Sequence, residues 1–163
     1  RAPQTVSRAS METSVNETLS RLYSTVPGTR EMVSKAAGVL VFPAVVGGSF
    51  VVGAEHGRGA LRVGGQTVAY YSITGASIGF QAGGQSRSVI YVFNTQDALQ
   101  KFRASNGWTA GTDATVAVGT VGANGRVDTK TLQQPITSFT LTNVGLEAGV
   151  SVGGGRITPI SLP

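Results

Sequence analysis

Apolar positions recur every three or four residues at the start of the chain. Met11, Val15, Leu19, Leu22 and Val26 make one stripe, the signature of an amphipathic helix. Ser10 is placed to cap it, because a serine hydroxyl accepts an orphan backbone N–H. Pro27-Gly28 closes it. A second short helix is predicted from Thr29 to Ala37, with Met32, Val33 and Ala36 inward. Residues 1–9 read as a flexible tail and 10–163 as a single domain.

After Gly38 the period changes. Val39 to Phe42 is continuously apolar, as expected of a strand buried on both faces. Strands are predicted at Phe50 to Ala54 and Arg58 to Val63, separated by Glu55-His56-Gly57. Gly64-Gly65 is a hairpin signal before Thr67 to Ile73. Ala76 to Gly83 reads as a glycine-punctuated strand and Ser88 to Phe93 as a central one. One helix interrupts, capped by Asn94 or Thr95, packed through Ala98, Leu99 and Phe102, and stopped by Asn106-Gly107. Trp108 to Val121 alternates like a strand, with Asn124-Gly125 as the next turn. Phe139 to Asn143 and Leu146 to Val152 form a closing pair. The fold class is therefore α+β and predominantly β: a strongly curved, barrel-like antiparallel sheet with N-terminal helices and one inserted helix. The 23 glycines suit such curvature, since glycine permits bulges and close backbone approach.

Composition narrows the chemistry. There is no cysteine and one histidine, so thiol catalysis and an ordinary zinc cluster are excluded. Gly75-Ala76-Ser77-Ile78-Gly79 matches the nucleophile-elbow pattern, but strand is predicted on both sides. The only histidine, His56, also precedes the serine, against the hydrolase order. Gly57-Arg58-Gly59 does not extend to a dinucleotide fingerprint, and no phosphate loop of the nucleotide-hydrolase type is present. A non-enzymatic chain without cofactor or metal is expected. The longest apolar run, Ala36 to Val46, is broken by Pro43 and too short to span a bilayer as a helix. An eight-stranded membrane barrel is disfavoured by an aromatic content of 7%. The first residue is Arg1, so an upstream signal segment removed from the precursor is an expectation.

A net charge of +5 draws anionic partners. Arg58 and Arg62 share one face of their predicted strand with Ala60, while Leu61 and Val63 point the other way. Arg87, Lys101, Arg103 and Arg126 extend this into a lipid-binding patch if the fold gathers them. The stripe Met11, Val15, Leu19 and Leu22 is the candidate membrane-contacting helix, with packing on the sheet as the alternative. Nucleic acid is not an expected partner: Tyr70, Tyr71, Tyr91 and Phe93 lie in core-like strands, not between basic residues.

Five segments, in order, carry a family resemblance. They are Ala36-Ala37-Gly38-Val39-Leu40-Val41-Phe42-Pro43, the glycine-rich stretch from Gly48 to Gly59, Ser77 to Ser86, Gly111 to Gly119 and Gly145 to Ser151. Together, over roughly Glu31 to Ile157, they resemble the SYLF domain family. Val68-Ala69-Tyr70-Tyr71-Ser72 stands where that family has Trp-Ser-x-Pro. The resemblance implies a compact β-rich domain binding anionic phospholipids or phosphoinositides. It implies association with actin in eukaryotic members, and secreted proteins or lipoproteins among bacterial ones. A monomer in the bacterial cell envelope, in the periplasm, on the outer membrane or secreted, is the corresponding expectation. The alternative is an envelope structural or protein-interaction module.

Overall fold

The computed structural model describes residues 7–47, 54–76, 86–142, 145–146 and 155–163. Helix α1 (Arg8–Thr25) and helix α2 (Thr29–Lys35) come first, followed by strands β1 (Gly38–Gly47), β2 (Ala54–Val63), β3 (Gln66–Ala76) and β4 (Ser86–Phe93). Helix α3 (Gln96–Ala104) precedes two short strands, β5 (Trp108–Thr109) and β6 (Ala117–Val118). A single turn, α4 (Thr129–Leu132), leads to β7 (Ile136–Thr142), β8 (Gly145–Leu146) and β9 (Arg156–Ile160). The strands form one sheet in the order β5-β9-β3-β2-β1-β4-β7-β6, with β8 also on β7, curled into a half-barrel. Among the described residues, every pairing between these strands is antiparallel except β6 on β7.

Period-two alternation sends β1 and β4 into two cores. Val39, Val41, Ile90 and Val92 face α1, in a cluster with Met11, Val15, Leu19 and Leu22. Leu40, Phe42, Tyr91 and Phe93 face the other way, onto Leu99 and Phe102 of α3 and onto Trp108. That second core is aromatic. Phe102 lies 4.9 Å from Phe93, 4.8 Å from Tyr71 and 5.3 Å from Trp108, ring centre to ring centre. Tilted and edge-on pairs of this kind add to the gain from burial itself. Because α1 covers one face of the sheet and α3 the other, β1 is apolar on both sides. The expected double burial of residues 39 to 42 is observed: none is more than 4% exposed.

Pro43 lies inside β1. It lacks a backbone donor, and the register of β1 slips there against both neighbours, between Val41 and Ala44 toward β2 and between Phe42 and Val45 toward β4. The Ser88 hydroxyl donates to the Pro43 carbonyl at 2.7 Å, which satisfies an acceptor the bulge displaces. The bulge presses on β2 at Gly59. A methyl group there would stand 2.6 Å from the Phe42 ring and nearer still to the Val41 carbonyl oxygen. Gly57 and Gly59 thus belong to one continuous strand, β2, in place of the expected break at Glu55-His56-Gly57. The hairpin turn falls at Gly64-Gly65, as the sequence indicates, with φ of 63° and 82°.

Other boundaries differ for identifiable reasons. Helix α1 starts at Arg8 because Ser7 is its cap. Ser10, the residue expected there, is the other half of a capping box: Ser10 N donates to Ser7 Oγ at 3.2 Å and Ser7 N to Ser10 Oγ at 3.0 Å. Thr95 caps α3, with Ala98 N donating to its hydroxyl at 3.1 Å. The alternating stretch from Trp108 to Val121 is not one strand. Asp113 Oδ2 accepts from Thr109 N at 2.6 Å, and Thr112 N and Asp113 N donate to the Thr109 carbonyl. With Gly111 at φ 84°, these bonds turn the chain back after two strand residues. Strand β9 is not signalled in the sequence, because Pro159 interrupts its pattern. Pro159 is tolerated because β5 pairs only with Arg156 and Ile157, so its missing donor costs no ladder bond on that edge. The strand expected at Ala76 to Gly83 and most of Leu146 to Val152 lie outside the described residues.

Candidate functional site

Helix α1 uses its stripe for packing. Met11, Val15, Leu19 and Leu22 are 3%, 0%, 6% and 0% exposed. Burial on the sheet, the alternative reading, therefore accounts for all four in this fold, and a membrane-contacting stripe on the surface is corrected. The polar side of α1 turns instead to β2. Arg62 Nη1 donates to Asn16 Oδ1 at 2.7 Å, and its Nη2 bridges to Glu12 Oε2 at 2.9 Å. The Thr67 hydroxyl donates to the other Glu12 oxygen. Arg62 shares a face with Ala60 and Arg58, as the strand period requires. That face is roofed by α1 at Arg62 and open at Arg58.

The six expected lipid-binding cations do not converge on one patch. Arg58 is exposed on β2. Arg62 is held by α1. Arg87 is only 4% exposed and interior, which corrects its expected place at a surface. Lys101 and Arg103 are on α3, across the sheet from α1, and Lys101 pairs with Asp97 at 3.1 Å. Arg126 is exposed beside α2, in a recess of about 190 Å³ that also takes in Gly28, Glu31, Lys35 and Asn124. Glu31 bridges to Lys35 at 3.0 Å there. The bond from Lys35, its charge and that of Arg126 hold the Glu31 carboxyl below the ordinary range.

A larger groove, about 510 Å³, opens between α1, α2 and the β2–β3 hairpin. Its apolar lining is Leu19, Val33, Ala36 and Val39, and its polar lining includes Tyr23, Arg30 and Arg62. Helix α2 aims Arg30 onto the Tyr23 ring, with the guanidinium carbon 4.6 Å from the ring centre, while its next residue, Glu31, serves the other recess. Among the described residues, Arg30 pairs with no carboxylate. Arg62 closes the far wall, with its Nε buried and without an acceptor. Burial raises the Tyr23 phenol pKa, and the charges of Arg30 and Arg62 oppose that rise. Gly64 and Gly65 form one rim of the groove, and the space beside both is open: a Cβ at either would meet nothing within 4 Å.

Sequence reasoning identified Arg62 but not its neighbours. Arg30 and Tyr23 are on separate helices, and only the α1–α2 turn at Val26 to Gly28 brings them together. A spacing of seven residues across a Pro-Gly break is no recognisable motif. The nucleophile-elbow serine, Ser77, lies outside the described residues. Among the described residues, no three of His, Cys, Asp and Glu converge on a metal-sized site, and no helix is long and apolar enough to cross a membrane.

Residues 74–161, over half of the chain, match the family model Ysc84, described as Las17-binding protein actin regulator. The match begins in β3, so the motif segments between Glu31 and Gly59 lie ahead of it, as does the whole groove. A comparison with curated proteins finds no match.

Proposed function

This chain belongs to the Ysc84, or SYLF, family of binding modules, and on that premise we propose that it is a non-enzymatic module docking on anionic phospholipid surfaces of the bacterial cell envelope. The observation that carries this reading is an asymmetry in how charge is used. Among the described carboxylates, Glu12, Glu31 and Asp97 are spent on Arg62, Lys35 and Lys101, and Glu17 is exposed and in no ion pair among the described residues. Asp113 and Asp128 are spent on backbone N–H groups. Arg30, Arg58, Arg103 and Arg126 stay exposed, within a chain of net charge +5. Each cation near an anionic leaflet contributes about 1 kcal/mol, and scattered cations of this kind sum without a shaped site.

Co-sedimentation with phosphatidylcholine vesicles, with and without phosphatidylserine, tests it. Binding is expected only with phosphatidylserine, and should weaken as salt rises because exposed charges are screened beyond about 10 Å at 0.1 M. Equal binding to both vesicle types would refute the electrostatic reading.

The family description supports a second reading. It names a protein partner and actin regulation, so a protein-interaction role in the envelope is the alternative. Capture of a protein partner, with no lipid in the bound fraction, would favour it.

A further inference from the structure

Helix α1 does not cover the whole of its side of the sheet. The cover ends at Arg8, whose guanidinium carbon stands 6.0 Å from the centre of the Tyr70 ring. Ala60 and Ile160 share that face with Tyr70 and pack in the core beneath α1. Two residues further along each strand, the same face turns polar. Arg58, Ser72 and Thr158 stand side by side across β2, β3 and β9, and Thr74, Arg156 and Thr109 across β3, β9 and β5. Arg58, Thr74 and Arg156 are exposed and the other three half-buried. Neither Arg58 nor Arg156 has an ion pair or a side-chain hydrogen bond among the described residues. Arg156 is nonetheless seated. Its guanidinium lies over Gly107, where an added Cβ would be 3.0 Å from Cζ and closer still to Nη2. The Ser72 and Thr158 hydroxyls bond each other at 3.1 Å, which leaves one O–H and spare lone pairs for another partner. None of these six positions is a carboxylate, and Asp113, close along the chain from β5, is spent on the Thr109 amide.

The spacing of the charges chooses the ligand. Arg58 and Arg156 are two strands and two residues apart, about 12 Å between Cα atoms at the usual spacings, which suits two acidic groups on one extended molecule better than a single anion. Between them lie hydroxyls that both donate and accept, as those of a sugar do. A nucleic-acid strand also repeats its charge, but these rows carry no aromatic ring on which a base could stack. They carry no large apolar side chain to enter a bilayer either. We propose that this uncovered sheet face binds an acidic polysaccharide, with one acidic group at each arginine and sugar hydroxyls on Ser72, Thr74 and Thr158. The site is independent of docking on phospholipid, which needs no shaped surface.

The test is a titration with tetragalacturonate, and with maltotetraose as a neutral sugar of the same length, followed by NMR at the backbone amides of Ser72, Thr74, Arg156 and Thr158. It is run on the intact chain, on Arg58→Gln, Arg156→Gln and the double variant, and on Arg103→Gln, which removes an exposed cation from α3 on the other side of the sheet. Saturable shifts with the acidic sugar alone are expected in the intact chain and in Arg103→Gln. Each single variant at the face should weaken binding by about tenfold, as loss of a charge-assisted bond implies, and the double variant should abolish it. A parallel arm uses vesicles of phosphatidylcholine and phosphatidylserine. Vesicle binding that survives in the double variant, with the sugar lost, would support two separate surfaces. Sugar binding without vesicle binding would support the face and sink the membrane reading. Vesicle binding with no shift from the acidic sugar would overturn the face and leave the membrane reading standing. An equal response to maltotetraose, equal weakening in Arg103→Gln, or shifts centred elsewhere would overturn it too. So would single-stranded DNA moving the four amides where the acidic sugar does not.

Discussion

At Gly59 the carbonyl of Val41 occupies the space a side chain would need. The obstacle is backbone in the central strand, whose bulge is held two residues further on by the bond from Ser88 to the Pro43 carbonyl, so it cannot step aside as a flexible side chain would. Gly59→Ala is expected to lower stability by roughly 1–3 kcal/mol, the usual cost of overpacking, as a reduced urea midpoint with unchanged slope. Retention of the wild-type midpoint would show that the bulge is soft. Individual side chains were the least legible part of the sequence. The parity of Arg58, Ala60 and Arg62 was readable, because a strand has a fixed period. That Arg62 is roofed and Arg58 open was not, because this depends on where α1 crosses β2. Arg87 sits on a strand whose alternation hides its environment, and its burial comes from neighbours distant in sequence.

Among the elements, α1 shows what its pattern was for. A stripe of this kind serves equally well on a sheet or in a membrane interface, and periodicity alone cannot choose. The sheet chooses, by offering Val39, Val41, Ile90 and Val92 as a complementary surface. Leu22 is fully buried there, so Leu22→Ala should cost about 3 kcal/mol from lost transfer and the cavity left behind. The measurement is chemical denaturation, and a cost under 1 kcal/mol would mean that α1 is only loosely docked. Long periodic elements were legible for the same reason: α1, α3, β1, β4 and the Gly64-Gly65 hairpin follow from local pattern and turn chemistry. The short strands β5 and β6, the turn α4 and the Pro159-bearing β9 were not. Their pairing is set by Asp113 folding the chain back and by an edge that excuses a proline.

For the molecule as a whole, two phenols make stability depend on alkali. Burial raises the pKa of Tyr23, where Arg30 and Arg62 oppose the rise, and of Tyr71, where Arg103 does. In the unfolded chain both return to about 10. The folded state therefore holds protons that the unfolded state releases. The stability this provides is complete below pH 10 and is lost as pH climbs through the raised values. Urea midpoints measured on both sides of pH 10 should fall on the alkaline side, with delayed phenolate absorbance in the folded protein. Phenolate appearing at the unfolded value, without loss of stability, would contradict the burial of both rings. The overall class was legible, with its helices first and a curved sheet after. The barrel-like curvature was legible too, from the many glycines, but the strand order was not, because the pairing of β9, last in sequence, with β3 is a long-range contact that no local pattern signals.

Residue Arg8 meets the segment that follows β9: its amide donates to the Pro163 carbonyl at 2.9 Å and its Nε to the Leu162 carbonyl at 3.0 Å, beside a Leu162 side chain that is itself buried. Under tension applied through these two points, the load would fall first on that small clasp and not along the sheet. The clasp would act as a mechanical fuse, parting while the strands behind it were still unstretched.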